Sequence, residues 1–517
     1  MDPQHAPTEF ERQPTGPERD WFYMGLPSRP KLVARSSSTP FHFHGDAWSL
    51  DRKALTVVGD HPIVDKWNDE PSPLRNKISG ILAEQDVDWQ AIDILRIGYD
   101  DEREKPVIVS ISVSAHTSWE TGSQVARDCR EALVEHGLSD VHCEIKESVL
   151  VNLASRFAVL RQDSHQYPLH FHSYMYHLSD QLGTAIASQD QPRREGTKGI
   201  YLRRSGCEPA EIFALTCRHV CYGDSERDSR LPGKETSAGK SIIQLPEKTH
   251  NTLVDRLEAY RNKATAAIQY AREKQEACNV NQSTSIAKFK GNAEAANTIL
   301  QYFSCRTSLS SRVIGEAAYT RAYDVQDPGF LSDWCLIKLE EKYHERRLSD
   351  LSNRVHVGND ELQSRFPDSE PTIDIQGLQD QSIQLRGFVA VSELQNRKIE
   401  RIVGMRGRTS GLTFGLVNQV KSVTRRLKDG RTFLSKECCI VSDRANDVFT
   451  RPGDSGACVF DLAGRVVGMV TGGITREQVL QGGDDYGLDR AMDVTYATPM
   501  EWLLEDMKAC GLSMEIL

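Results

Sequence analysis

From about residue 183 onward the apolar residues come in short runs, broken every few positions by Gly, Asp or a charged residue. Ile200-Tyr201-Leu202, Phe213-Ala214-Leu215, Trp334-Cys335-Leu336-Ile337 and Cys458-Val459-Phe460 are too brief to cover the face of a buried helix. The turn residues between them stop a helix from propagating. Runs of this length and spacing form strands, and many short strands close into barrels or sandwiches because closure removes exposed edges. This part of the chain is therefore expected to be mainly β.

Two segments break that pattern. In 248–274, Leu253, Leu257, Tyr260, Ala264, Ala267 and Ala271 recur at steps of four and three. In 284–303, Ile286, Phe289, Ala293, Ala296, Leu300 and Phe303 do the same. Paired stripes of this kind, joined by Cys278-Asn279-Val280-Asn281, predict an antiparallel helical hairpin with a coiled-coil-like seam, inserted over 246–304.

The N-terminal part reads differently. Residues 1–50 are rich in Pro, Ser and charge without periodicity and are expected to be a disordered tail. Over 51–155 a small α/β domain of unknown role is expected. Its first helix starts at Ser72-Pro73 and buries Leu74, Ile78, Ile81 and Leu82. Strands follow around Ile92–Ile97 and Val107–Ile111. A second helix over 119–136 buries Val125, Cys129 and Leu133 and stops at Gly137, before a strand through Val141, Cys143 and Ile145. Residues 156–182 read as a connector, leaving 183–510 as the β-rich unit.

Composition narrows the function classes. The chain has 517 residues, 39% of them hydrophobic and 26% charged, enough for more than one core. A net charge of −10 argues against a polyanion binder, so no nucleic acid is expected as partner. No apolar stretch reaches the ~18 residues of a membrane helix, and the polar, Pro-rich start does not look like a secretory signal. The 12 cysteines are scattered without a C-x-x-C pair, and most lie in apolar runs. They read as reduced core thiols in a cytoplasmic or nuclear protein. His42, His44, His170, His172 and His177 have no Cys, Asp or Glu at ligand spacing, so no metal is expected. Nor does any Gly-rich loop suggest a cofactor.

Three fragments carry candidate chemistry: Ala214-Leu215-Thr216-Cys217-Arg218-His219-Val220, Ser332-Asp333-Trp334-Cys335-Leu336, and Pro452-Gly453-Asp454-Ser455-Gly456-Ala457. A serine hydroxyl is a poor nucleophile until an imidazole takes its proton, so His219 would be the general base for Ser455. Asp333 would hold the other ring N–H, and the N–H groups of Gly453 and Ser455 would form an oxyanion hole. Cys217 and Cys221, beside His219, read as structural thiols.

In its His, Asp, Ser order and in the Gly-Asp-Ser-Gly string, the chain resembles the trypsin-like (chymotrypsin-fold) serine peptidases. The likeness covers about 183–510. It takes in Gly196-Thr197-Lys198-Gly199-Ile200-Tyr201-Leu202 before the His segment and the Gly404–Gly415 turn region. It also takes in Val466–Gly473 after the Ser and the closing helix from Glu501. It implies two six-stranded antiparallel β-barrels of the chymotrypsin type, with the hairpin inserted in the first and the small α/β domain in front. His219 to Asp333 spans 114 residues, and removing 246–304 leaves 55, about what half a barrel needs.

The implied function is a serine endopeptidase acting on polypeptides through an acyl-enzyme. The alternative is a catalytically silent protein of the same fold that serves as a binder or scaffold. Hairpin 246–304 is a candidate surface for a protein partner. No Ile-Val-Gly-Gly-like activation site precedes the barrels, no family disulfide has an obvious counterpart, and no room follows the closing helix for a PDZ domain. The type expected is therefore intracellular. The resemblance also places Phe449, six residues before Ser455, at the base of the specificity pocket, with Thr471, Gly472 and Gly473 as an open wall. An uncharged pocket implies cleavage after uncharged, apolar or small residues, although Asp447, two positions away, would restore a carboxylate if the register shifts.

Overall fold

The computed structural model describes residues 12–517, apart from 38–40, 42–50, 153–171, 208–209, 224–229, 233, 236–238, 279–280, 345–346, 358–381, 400, 429, 446 and 477–490. The first strands are β1 (Lys31–Arg35), β2 (Lys53–Thr56), β3 (Trp89–Tyr99), β4 (Val107–Val113), β5 (His142–Glu147) and β6 (Val149–Asn152). In the half that carries His219 and Asp333 come β7 (Ala185–Ser188), β8 (Gly196–Thr197), β9 (Ile200–Arg204), β10 (Ile212–Cys217), β11 (Ser241–Gln244), β12 (Val313–Thr320) and β13 (Trp334–Leu339). The half that carries Ser455 contains β14 (Arg401–Gly407), β15 (Gly411–Val417), β16 (Ser422–Lys428), β17 (Arg431–Ser442), β18 (Cys458–Asp461), β19 (Val466–Thr475) and β20 (Val494–Pro499), and β21 (Met514–Ile516) ends the chain.

The protein is mainly β, with several sheets. Strands β17, β15, β14, β18, β19 and β20 pair in that order, and β20 pairs back onto β17, so six strands close into a ring. The other half, β21-β9-β10-β13-β12-β11-β7-β8, is an open path among the described residues, a half-barrel rather than a second closed ring.

Both predicted helices of the N-terminal region form for the expected local reasons. Helix Pro73–Glu84 has Ser72 as its cap, accepting from the Arg75 N–H at 3.0 Å, and it buries Leu74, Ile78, Ile81 and Leu82. Helix Trp119–Glu135 is followed by Gly137 at φ +72°. Both pack on the sheet β1-β5-β4-β3 through one apolar cluster containing Trp67, Ile92, Val109, Val125 and Cys143.

Two expectations are corrected here. Part of the expected tail is ordered: Gly16–Trp21 is a helix, and β1 pairs antiparallel with β5. Local periodicity is absent there because the stabilisation is tertiary. Phe22, Tyr23 and Leu32 are buried against Val441, Ile474 and Tyr496 of the ring. The α/β unit is also not separate, because β3 pairs with β16, which pairs with β17 of the ring, making one sheet. Buried polar bonds tie the same seam. Tyr496 and Ser422 hydroxyls donate to Asp93, Ser28 donates to Asp493, and Asn418 donates to the Ile94 carbonyl. The expected connector 156–182 lies largely outside the described residues; its end forms the helix His172–Leu178.

The helical hairpin consists of Glu247–Cys278 and Ser283–Ser304. It is inserted between β11 and β12, which pair with each other, so the strand path continues across it. Its base packs Leu253, Leu257, Ile299 and Phe303 against Tyr174 and Leu245, while Tyr270 toward the far end is 67% exposed. Leu257→Ala should therefore cost about 3 kcal/mol, and Tyr270→Ala under about 0.5, measured by urea unfolding. Equal losses would mean that the free end is as integral to the fold as the base.

Candidate active site

Strand register brings the first two candidate residues together. β10 and β13 are antiparallel with Cys217 opposite Trp334, so the residues just after β10 meet the residue just before β13. The Arg218 N–H donates to the Asp333 carbonyl at 3.1 Å, and the His219 N–H donates to Asp333 Oδ1 at 3.1 Å. The imidazole then lies with Nδ1 2.5 Å from Asp333 Oδ2.

On the other side of the ring, Nε2 is 2.8 Å from Ser455 Oγ. Burial pushes the Asp333 carboxyl up, but the neighbouring His219 and its ring and backbone N–H donors outweigh burial. The carboxyl lies below its ordinary value. An ionised carboxylate only accepts, so the shared proton belongs to Nδ1, and Nε2 is left to accept from the serine hydroxyl. Trp334, next to Asp333, is anchored in turn by its indole N–H to Asp506 of the closing helix Met500–Ala509, at 2.7 Å.

The serine sits in a turn held from both halves of the molecule. In the half-barrel, the Thr197 N–H donates to the Ser455 carbonyl at 2.8 Å and the Thr197 hydroxyl to the Gly453 carbonyl at 2.9 Å. Gly456 has φ +91°, and a Cβ there would lie 2.2 Å from Thr216 Oγ1 and 2.4 Å from the Thr197 carbonyl. Only glycine fits. Asp454, fully buried, accepts from the N–H groups of Arg451 at 2.8 Å, Thr409 at 2.9 Å and Ser410 at 3.1 Å. Two of the three donors that fix this carboxylate thus come from the β14–β15 turn, and the third from Arg451 just ahead of Asp454. Among the described residues, the N–H groups of Gly453 and Ser455 pair with no acceptor, which leaves both available to a developing oxyanion.

The same turn reaches the helical hairpin. Arg408 pairs with Glu195 in full burial, and Glu195 also accepts from Lys248 N–H, Thr249 N–H and the Thr249 hydroxyl at the hairpin's first turn. Burial lowers Arg408 to about 10, opposed by Asp454. Nothing in the sequence marked this pair, since each partner looks like an ordinary surface charge. Thr197, Glu195 and Arg426, the last an attractive charge for Asp333, were likewise missed.

The expected specificity residues are placed less simply. Phe449 is buried in the ring's apolar core, in one cluster with Val403, Val417 and Ile440. The Thr471 carbonyl is 3.4 Å from Ser455 Oγ. Gly472 and Gly473, expected as an open wall, are not open: they pair with Asn152 and Val151 of β6. The sequence carried no hint of this beyond the apolar run Val149-Leu150-Val151.

Cys217, His219 and Asp333 place possible ligand atoms within 4.8 Å of one another. In the structure these groups have other partners: the Cys217 thiol donates to the Val470 carbonyl at 3.1 Å, and His219 Nδ1 and Asp333 Oδ2 hold each other at 2.5 Å. Half-buried His177 is pushed down to about 3 by desolvation, with Arg406, Arg408 and Arg256 adding to the effect. His42, His44 and His170 lie outside the described residues.

Two outcomes follow for stability. Asp454→Ala would strand three N–H donors and should cost about 2–4 kcal/mol, read by thermal unfolding. For Asp333 the depressed folded value means a stabilising contribution present above the unfolded value of about 3.9 and lost as pH falls through the lower folded one. Asp333→Asn should remove that contribution and flatten the acid limb of the stability curve below about pH 4. An unchanged acid limb would contradict the assigned ionisation. No known family profile matches the chain and no curated protein matches it, so the reading of the site rests on its geometry.

Proposed function

We propose that the protein is a serine endopeptidase of the trypsin-like type, hydrolysing peptide bonds through an acyl-enzyme. The observation that carries this reading is the unbroken relay Asp333 Oδ2, His219 Nδ1, His219 Nε2, Ser455 Oγ at 2.5 and 2.8 Å. It lies where a half-barrel meets a six-stranded ring, as two chymotrypsin-type barrels would meet. His219 takes the hydroxyl proton as Ser455 Oγ bonds to the substrate carbonyl carbon, and Asp333 stabilises the imidazolium. The N–H groups of Gly453 and Ser455 receive the oxyanion. The imidazolium protonates the leaving amine, and a water activated by the same imidazole hydrolyses the ester.

A second reading has one observation in its favour. Ser455 is 0% and His219 2% exposed, and the strand edge beside them is occupied. A protein that keeps the fold as a scaffold and no longer turns over would share that closure. A fluorophosphonate probe separates the two readings, because it needs an activated serine. Wild type should label and Ser455→Ala should not, and Asp333→Asn should slow peptide hydrolysis by about 10⁴-fold through loss of the correct tautomer. Absence of labelling in wild type favours the scaffold.

Phe449 supports an uncharged specificity pocket. A lysine or arginine there would lose hydration without a partner, a loss of several kcal/mol. Profiling cuts in a peptide library should show cleavage after apolar or small residues; dominance of Arg and Lys would instead assign the pocket to Asp447.

A further inference from the structure

We propose that Thr409 positions the oxyanion hole, and that the helical hairpin holds Thr409 in place through Glu195 and Arg408. The inference rests on the peptidase reading and adds to it a positioning residue that no triad motif marks. The need for one begins at Gly453, whose φ of +110° lies in the region that favours glycine. The same freedom lets the Pro452–Gly453 peptide plane rotate, and its orientation decides what the site presents. A trans peptide sends its C=O and its N–H to opposite sides. With the N–H facing the reacting carbonyl, the peptide stabilises an oxyanion. Rotated by half a turn, it would offer the Pro452 oxygen instead, and two negative oxygens would face each other.

Thr409 makes the choice. Its hydroxyl donates to the Pro452 carbonyl at 2.8 Å and so fixes that oxygen against the β14–β15 turn. The Gly453 N–H, on the opposite side of the same peptide, pairs with no acceptor among the described residues. The next peptide is fixed as well, since the Thr197 hydroxyl donates to the Gly453 carbonyl at 2.9 Å. The approach is close: a Cβ on Gly453 would lie 2.2 Å from Thr409 Oγ1 and 2.9 Å from Arg408 Nη1.

Both hydroxyls are themselves oriented by Arg408. A hydroxyl has one proton to give, and a donor aimed at its oxygen settles where that proton goes. Arg408 Nη1 donates to Thr409 Oγ1 at 3.0 Å, which directs the Thr409 proton to Pro452. The Arg408 backbone N–H donates to Thr197 Oγ1 at 3.1 Å, which directs the Thr197 proton to Gly453. The guanidinium is in turn buried against Glu195. Glu195 accepts from the N–H groups of Lys248 and Thr249 at 3.1 and 3.0 Å and from the Thr249 hydroxyl at 2.8 Å. Lys248 and Thr249 open the hairpin helix Glu247–Cys278. An unbroken series of bonds thus runs from the hairpin to the oxyanion hole, and the element it biases is one peptide plane with two orientations.

Steady-state kinetics of the full chain on a chromogenic peptide amide with leucine at the cleaved bond, run beside the fluorophosphonate labelling rate, test this. Thr409→Val keeps the shape of the side chain and loses the hydroxyl. It should lower kcat by about 10–100-fold with KM unchanged, because only the transition state uses the hole, and slow labelling by the same factor. Thr409→Ser should restore both. Thr249→Val, which takes one donor from Glu195 on the hairpin, should lower kcat by a smaller factor, again at constant KM. Combined with Thr409→Val it should add nothing, since both act through the same peptide. If Thr409→Val does not fold, Thr249→Val decides by the same split between kcat and KM. A wild-type kcat in Thr409→Val, or a rise in KM alone, would overturn the positioning role, and continued labelling of wild type would leave the peptidase reading standing. Full activity in Thr249→Val would overturn the hold by the hairpin. A wild type that does not label would remove the peptidase reading and this inference together.

Discussion

The register of one strand pair governs the site. With Cys217 opposite Trp334, the ends of β10 and β13 meet, and two backbone N–H groups from residues 218 and 219 clasp Asp333. A slip of one residue would turn every side chain of the strand to the opposite face and separate His219 from its carboxylate. What secures the register is burial on both faces: Phe213, Leu215, Cys335 and Leu336 are all at 0% exposure. The relay is therefore a by-product of core packing at the strands' other positions.

The serine is controlled from more places than the imidazole. Its turn depends on a glycine that tolerates φ +91°, on Thr197 of the half-barrel, and on Asp454 clasped by a turn of the ring. That turn is in contact, through Arg408 and Glu195, with the base of the helical hairpin. A buried ion pair of this kind contributes little net stability, but removing either partner leaves a charge unpaired in low dielectric. The hairpin and the Ser455 turn thus share one polar network, and the N-terminal sheet shares another with the ring through Asp93, Ser422 and Tyr496.

Sheet continuity explains why a strand from the N-terminal unit can lie at the site. β5 ends at Glu147 and β6 begins at Val149, so the strand leaves a sheet already fixed to the ring through β3 and β16. Tethered in this way, it meets the β19 edge at a high effective concentration, with Leu150 and Val151 packed against the apolar clusters of the ring.

The sequence alone determined the elements whose causes are local. The caps at Ser72 and Gly137, the helical stripes of 248–274 and 284–303, and the alternating runs around Cys217 and Trp334 all mark their own structures, because caps and periodicity act within a few residues. It also marked His219, Asp333 and Ser455 as residue types able to act together. The tertiary structure alone decided which strands pair. Only in the fold does Lys31–Arg35 become part of a sheet rather than of a tail, one β unit close while the other, among the described residues, stays open, and Val149–Asn152 lie on Gly472 and Gly473. Many short apolar runs could pair equally well edge to edge, and the choice among them comes from shared burial and from buried polar partners hundreds of residues apart, which no local pattern records.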